Sequence, residues 1–193
     1  MTSSNHSNFD PLTRTQILGV MAVTAVVLLG VTKLWQHFGD VPLLAWQFTF
    51  PAALQGLALA LGIVLASGVV YRGWPAYRQS ADSYLELVIK PLAWPDLLWL
   101  GLLPGLSEEL LFRGVMLPAL GLTWGAVLLS SLVFGVLHLS SLQQWPYVVW
   151  ATIVGLALGY AALVTGNLAV HVLAHIVTNW VSSSLWKWNY SAP

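Results

Sequence analysis

Six apolar stretches of near membrane-spanning length take up most of this chain, and carboxylates or histidines stand inside three of them. A bilayer core about 30 Å thick needs ~20 mostly apolar helical residues. The stretches cover residues 17–35, 45–71, 96–120, 123–139, 146–164 and 168–186. Backbone polar groups in hydrocarbon must be satisfied internally, so such segments fold as helices. The predicted fold class is therefore all-α: a polytopic membrane bundle of about six transmembrane helices. Only 7% of the 193 residues are charged and 58% are hydrophobic, against roughly 45–50% in soluble domains.

The organisation follows from the same pattern. Residues 1–15 form a polar tail. Residues 16–92 hold two accessory transmembrane helices and a cytoplasmic connection, and 93–190 form the core. The first apolar run ends without a cleavage-type sequence, so it reads as a retained span rather than a signal peptide. Within the connection, residues 80–90 predict a short interfacial helix with Ser80 or Asp82 as N-cap. Pro104-Gly105 predicts a kink just before an acidic pair. Arg14, Arg72, Arg78, Lys90 and Lys187 all fall on one side of a six-span layout, which puts both termini in the cytoplasm. Eight Trp, among them Trp35, Trp94, Trp145 and Trp186, sit near predicted span ends, as interfacial belts do. The formal charge balance of 0 gives no basis for a nucleic-acid partner. The lack of Cys excludes disulfides, thiolate metal sites and a Cys nucleophile.

Ionisable groups in hydrocarbon are costly and mark functional sites by default. The first set is Glu108, Glu109 and Arg113. Residues four apart share a helix face, so Glu109 pairs with Arg113. Glu108 is rotated by roughly 100° and lacks a local cation, which suits a general base or acid. The bland alternative is one structural charge network. The second element is Phe134 with His138, four residues on. A lone His at a helix end commonly just bonds a free carbonyl. The third is His171, His175 and Asn179, one stripe at four-residue spacing. Two His at this spacing can share a metal, but the Glu that follows the first His in zinc-protease helices is Val172 here. Interhelical hydrogen bonding is the bland alternative for this stripe. Gly155 and Gly159, also four apart, offer close packing that would bring the His138 and His175 helices together.

Taken in order, E-E-x-x-x-R, F-x-x-x-H and H-x-x-x-N resemble the CAAX-processing and bacteriocin-processing (CPBP, or Abi) intramembrane protease family. The strings SEELLFRG and FGVLHLS strengthen the match, which spans about residues 94–186. The resemblance implies a four-helix catalytic core and hydrolysis of a peptide bond in a membrane-associated protein or peptide. It places the catalytic carboxylate on Glu108, a supporting pair on Glu109 and Arg113, and further site residues on His138, His175 and Asn179. His171 falls outside that pattern and ranks below the others. In one scheme Glu108, helped by His138, activates water while His175 and Asn179 stabilise the oxyanion. In the other, one divalent metal, such as zinc, sits between Glu108, His138 and His175. The implied partners are a membrane-embedded substrate, with or without a lipid anchor, and the bilayer itself. Two other classes remain open from the residues: a non-catalytic binder of the bacteriocin self-immunity type, and an ion pathway, which would more often show inverted repeats.

Overall fold

The computed structural model describes residues 12–191. The expected polar tail therefore falls mostly outside them. Helix α1 is Arg14–Gly39. Thr13 starts it with a capping box: Gln16 N–H donates to the Thr13 hydroxyl, and Thr13 N–H donates to Gln16 Oε1. Asp40 ends it in the left-handed region, φ 48°. Helix α2 is Phe50–Gly73, capped by Thr49. Helix α3 is Pro75–Ile89. Helix α4 is Leu97–Glu109 and continues through a π-helical segment, Leu110–Met116, into a last turn, Leu117–Ala119. Helix α5 is Trp124–Val136, α6 is Trp145–Thr165 and α7 is Leu168–Ser191. All-α is the observed class, with no strand among the described residues.

Four helices, α1, α2, α6 and α7, are long and apolar enough to cross a membrane; a fifth span arises if α3 and α4 count as one bent unit. The expected six is not reached by length. At 13 residues α5 is about 20 Å long, short of the bilayer core. The break lies between α3 and α4, which meet at 109°, whereas α4 runs on past Pro104. The connection helix starts at Pro75, so Ser80 and Asp82 are interior positions and not caps. Pro at the first helical position needs no donor and is pre-set for the helix.

Helix α7 is the axis of the bundle. Half of its most apolar window is buried, against 17% for α1 and α2. Val20, Val23, Val26 and Val27 on α1 and Leu54, Leu57, Leu61 and Leu65 on α2 are exposed. Apolar surface on that scale fits lipid, not water. The chain is an integral, multi-pass membrane protein. Helices α2 and α4 pack directly on α7, and α5 packs on α6. Glycines set these approaches. A Cβ on Gly56 would meet Val170 O at 2.7 Å, and one on Gly101 would meet Ile176 O at 2.9 Å. Gly155 and Gly159 admit α5, the His138 helix, and the Arg113 guanidinium.

The two ends of the bundle are tied differently. At one end Arg14 makes a two-point ion pair with Asp96 at 2.7 and 2.8 Å. Lys187 Nζ donates to Leu92 O at 2.6 Å, and Asp82 accepts from both Tyr71 and Trp186. At the other end residues 41–49 run extended between the helices. Pro118 has no N–H, so the Gly114 carbonyl loses its α-helical donor. Leu44 N–H supplies the missing bond at 2.9 Å. Asn167 exchanges two hydrogen bonds with the Gln47 backbone. Every freed backbone group at such depth needs a partner of this kind.

Two glycines test the packing. A Cβ on Gly105 would stand 3.0 Å from Ile176 N and 3.1 Å from its Cα, whereas Gly62 has nothing within 4 Å. Gly105→Ala should lower stability by about 1–3 kcal/mol through overpacking. Gly62→Ala should be neutral or stabilising by up to ~1 kcal/mol through helix propensity. Thermal unfolding in detergent distinguishes the two.

Candidate active site

The site is built around a carboxylate that water never reaches. Glu109 ends α4 about 18 Å along the axis from Leu97. Its side chain is fully buried, as is that of Arg113. A lone ionised carboxylate there would cost several kcal/mol, so it must be paired and hydrogen-bonded. Three donors meet it. Arg113 Nη1 donates to Oε1 at 2.7 Å, as the four-residue spacing predicted. His175 Nδ1 reaches the same oxygen at 2.8 Å. His171 Nδ1 reaches Oε2 at 3.1 Å. His171 and His175 on α7 thus face the end of α4, and His171, ranked below the others on its sequence, is a direct partner of Glu109. What the sequence did not show is that α4 ends opposite the first two turns of α7. The four-residue step from His175 back to His171 was the available signal.

Arg113 is itself held from three directions. Nη2 donates to Gly155 O at 2.9 Å. The Phe134 ring centroid lies 4.6 Å from Cζ, a cation–π contact. Gly155 leaves the space, since a Cβ there would come within 3.2 Å of Nη2. Phe134 is more than a motif partner of His138. Its ring also touches Phe112 edge-on at 5.3 Å and stands 4.7 Å from His138 and 6.0 Å from His175. The π-helical segment begins immediately after Glu109. Such segments recur at functional sites because they re-aim side chains within a helix.

Glu109, paired with Arg113, accepts and does not donate. His175 Nδ1 therefore carries a hydrogen, and Nε2 faces outward. Nε2 lies 3.9 Å from Glu108 Oε2. That oxygen is buried and has no protein partner. Glu108 is thus separated from the Glu109 network, as the helical rotation predicted, yet is joined to it through His175.

His138 follows the end of α5 and is half-buried. Its Nδ1 bonds Phe134 O at 2.8 Å, the ordinary role of a His at a helix end, which leaves Nε2 free. Its ring lies 6.2 Å from Tyr147, which stacks on Tyr84 at 4.7 Å. Sequence reasoning missed this aromatic wall, because α3 had been read only as a surface connection. Asn179 is half-buried one turn beyond His175, and its side chain makes no hydrogen bond among the described residues.

The metal alternative asks for Glu108, His138 and His175 around one ion. Among the described residues, no three His, Asp or Glu side chains stand close enough to share one. His175 and His138 both bond through Nδ1, which leaves on each the Nε2 that a metal would use.

Comparison with known proteins gives two matches. The family described as Type II CAAX prenyl endopeptidase Rce1-like matches residues 90–181. "Uncharacterized protein YpbD" of Bacillus subtilis (strain 168) is 31% identical over 122 residues, covering 63% of this chain and 62% of that protein. The chain thus aligns with less than two thirds of that relative's length. No solved structure matches.

Breaking one partner of a buried pair strands the other's charge. Arg113→Leu should cost about 3–5 kcal/mol. Glu86→Ala, at the exposed Glu86–Lys90 pair, should leave the melting temperature unchanged. Thermal unfolding of the purified protein checks both.

Proposed function

We propose, from the match of residues 90–181 to the Rce1-like CAAX prenyl endopeptidase family, that this chain is an intramembrane endopeptidase. Its substrate would be a membrane-embedded or membrane-associated protein or peptide, lipidated or not. One observation supports this most directly: His175 Nε2 and the unpartnered Glu108 Oε2 face each other at 3.9 Å beside a fully buried charge network. In this reading the attacking water is held by that pair.

In the proposed reaction Glu108 takes a proton from this water as it attacks the substrate carbonyl. His175 Nε2 accepts the water's other hydrogen and orients it. Glu109 holds His175 in the required tautomer, and Arg113 holds Glu109, the same division of labour as in a catalytic triad. The free Nε2 of His138 assists Glu108. The Asn179 amide donates to the oxyanion of the tetrahedral intermediate. Glu108 then returns the proton to the leaving amine as the C–N bond breaks. Tyr84 and Tyr147 form a wall along the approach. The catalytic core would be 93–190, with 16–92 as accessory spans. Arg14, Lys90 and Lys187 lie at one end of the bundle, where Arg14 meets Asp96 and Lys187 caps Leu92. This supports a cytoplasmic location for both termini.

The test is cleavage of a fluorogenic farnesylated CAAX peptide by the protein in liposomes. Glu108→Ala and His175→Ala should each lower kcat by about 10²–10⁴-fold. Unchanged cleavage in Glu108→Ala would sink the mechanism. Binding of the peptide without cleavage by the wild type would instead favour the self-immunity type of binder. Elemental analysis of the same preparations tests the second scheme. One zinc per chain, lost in Glu108→Ala and His138→Ala, would replace the metal-free reaction with a metal-centred one.

A further inference from the structure

His171 is a buried ionisable residue that the proposed reaction leaves without a task. Its ring is fully buried, Nδ1 touches Glu109 Oε2 at 3.1 Å, and Nε2 has no partner. The residue is absent from the three-part motif. A purely packing side chain at this depth would be apolar, because each buried polar atom adds a desolvation cost.

We propose that His171 is the positioning residue that sets the plane of the Glu109 carboxylate and, through it, the tautomer and orientation of His175. This inference rests on the endopeptidase reading for its functional consequence and on geometry alone for its structural one.

Both other donors, Arg113 Nη1 and His175 Nδ1, bind Oε1. Two donors on one oxygen leave the carboxylate free to swing, because the terminal torsion of Glu is broad and roughly two-fold. A third donor on Oε2 removes that freedom. With the plane fixed, Oε1 stays directed at His175, whose Nδ1 keeps the hydrogen and whose Nε2 keeps its lone pair toward Glu108.

The chemistry of the donor also matters. Glu109 already has one full cation, Arg113, at 2.7 Å. A Lys or Arg at position 171 would add a second, uncompensated buried charge. A neutral imidazole donates from Nδ1 without changing the charge balance. In that tautomer Nε2 is a bare acceptor, and burying an unpaired acceptor is more readily tolerated than burying an unpaired N–H. The orphaned Nε2 is therefore what the neutral Nδ1–H form requires.

The experiment compares full-length wild type, His171→Asn and His171→Leu. The Asn amide places its N–H near the position of Nδ1, whereas Leu has no donor. Nitrogen-15 NMR of histidine-labelled protein in micelles reads the tautomer of His175, its signal identified by loss in His175→Gln. Wild type and His171→Asn should both show His175 protonated at Nδ1. His171→Leu should show a mixture of tautomers. On the farnesylated peptide, kcat of His171→Leu should fall about 10²-fold with KM unchanged, the cost expected of a misplaced group. His171→Asn should stay within about threefold of wild type in kcat. If His171→Leu does not fold, His171→Gln replaces it, since its longer side chain carries the amide past Oε2. An unaltered His175 tautomer in the donor-less or donor-shifted variant overturns the proposal. So does His171→Asn losing as much activity as that variant. If the wild type cleaves no peptide, the endopeptidase reading fails, yet the tautomer comparison still decides the role of His171.

Discussion

The bond on which everything else depends is the one between Glu109 and Arg113. A carboxylate and a guanidinium, both inaccessible to solvent, pair at 2.7 Å in the interior of a bundle. Desolvating two ions costs more than their attraction alone returns unless further hydrogen bonds complete both groups. The rest of the core supplies them. His171 and His175 complete the carboxylate from α7, while Gly155 O and the Phe134 ring hold the guanidinium from α6 and α5, which leaves its Nε as the one donor without a partner among the described residues. Four helices are thus required to satisfy one ion pair. Their mutual placement is fixed by electrostatics as much as by apolar packing, which in a membrane provides little drive of its own.

Such a centre demands close approach of backbones. The contact surfaces carry Gly56, Gly101, Gly105 and Gly155, where a single methyl group would collide with a neighbouring helix or with Arg113 itself. Close approach also leaves irregular backbone at depth, and hydrocarbon gives it no water. The Gly114 carbonyl, deprived of a donor by Pro118, is rescued by Leu44 from a different segment. Residues 41–49 are therefore a structural insert of the bundle rather than a loose loop between α1 and α2. The π-helical turn after Glu109 belongs to the same solution. It lies between Glu109 and Pro118 and contains Gly114, where the helix meets the insert.

The site that results separates two carboxylates by task. Glu109 is consumed by structure, with every oxygen occupied. Glu108, its chain neighbour, keeps one buried oxygen without a partner. His175 stands between them, one nitrogen on each. A histidine in that position transmits the geometry of the fixed carboxylate to the unfixed one. The difference between neighbours comes from the helical rotation alone.

Much of this was legible in the sequence. Apolar run lengths gave the all-α membrane class, spacing gave the Glu109–Arg113 pair, and the rotation of Glu108 away from it followed from helix geometry. The inward-facing stripe on α7 came from the cost of polar groups in hydrocarbon. These are local or compositional rules, and a single chain segment carries them. What only the tertiary structure decided is which groups meet across helices. No local rule could tell that His171 would share Glu109 with His175, or that Phe134 would lie against Arg113. Nor could it tell that α3 would bend 109° from α4 and bring Tyr84 to the site. The run-length rule also left the number of spans approximate, because α5 packs one face on α6 and has only 13 residues. Residue spacing fixes what lies on one face of one helix, whereas the partner of that face is set by the crossing of two helices, which depends on the whole bundle.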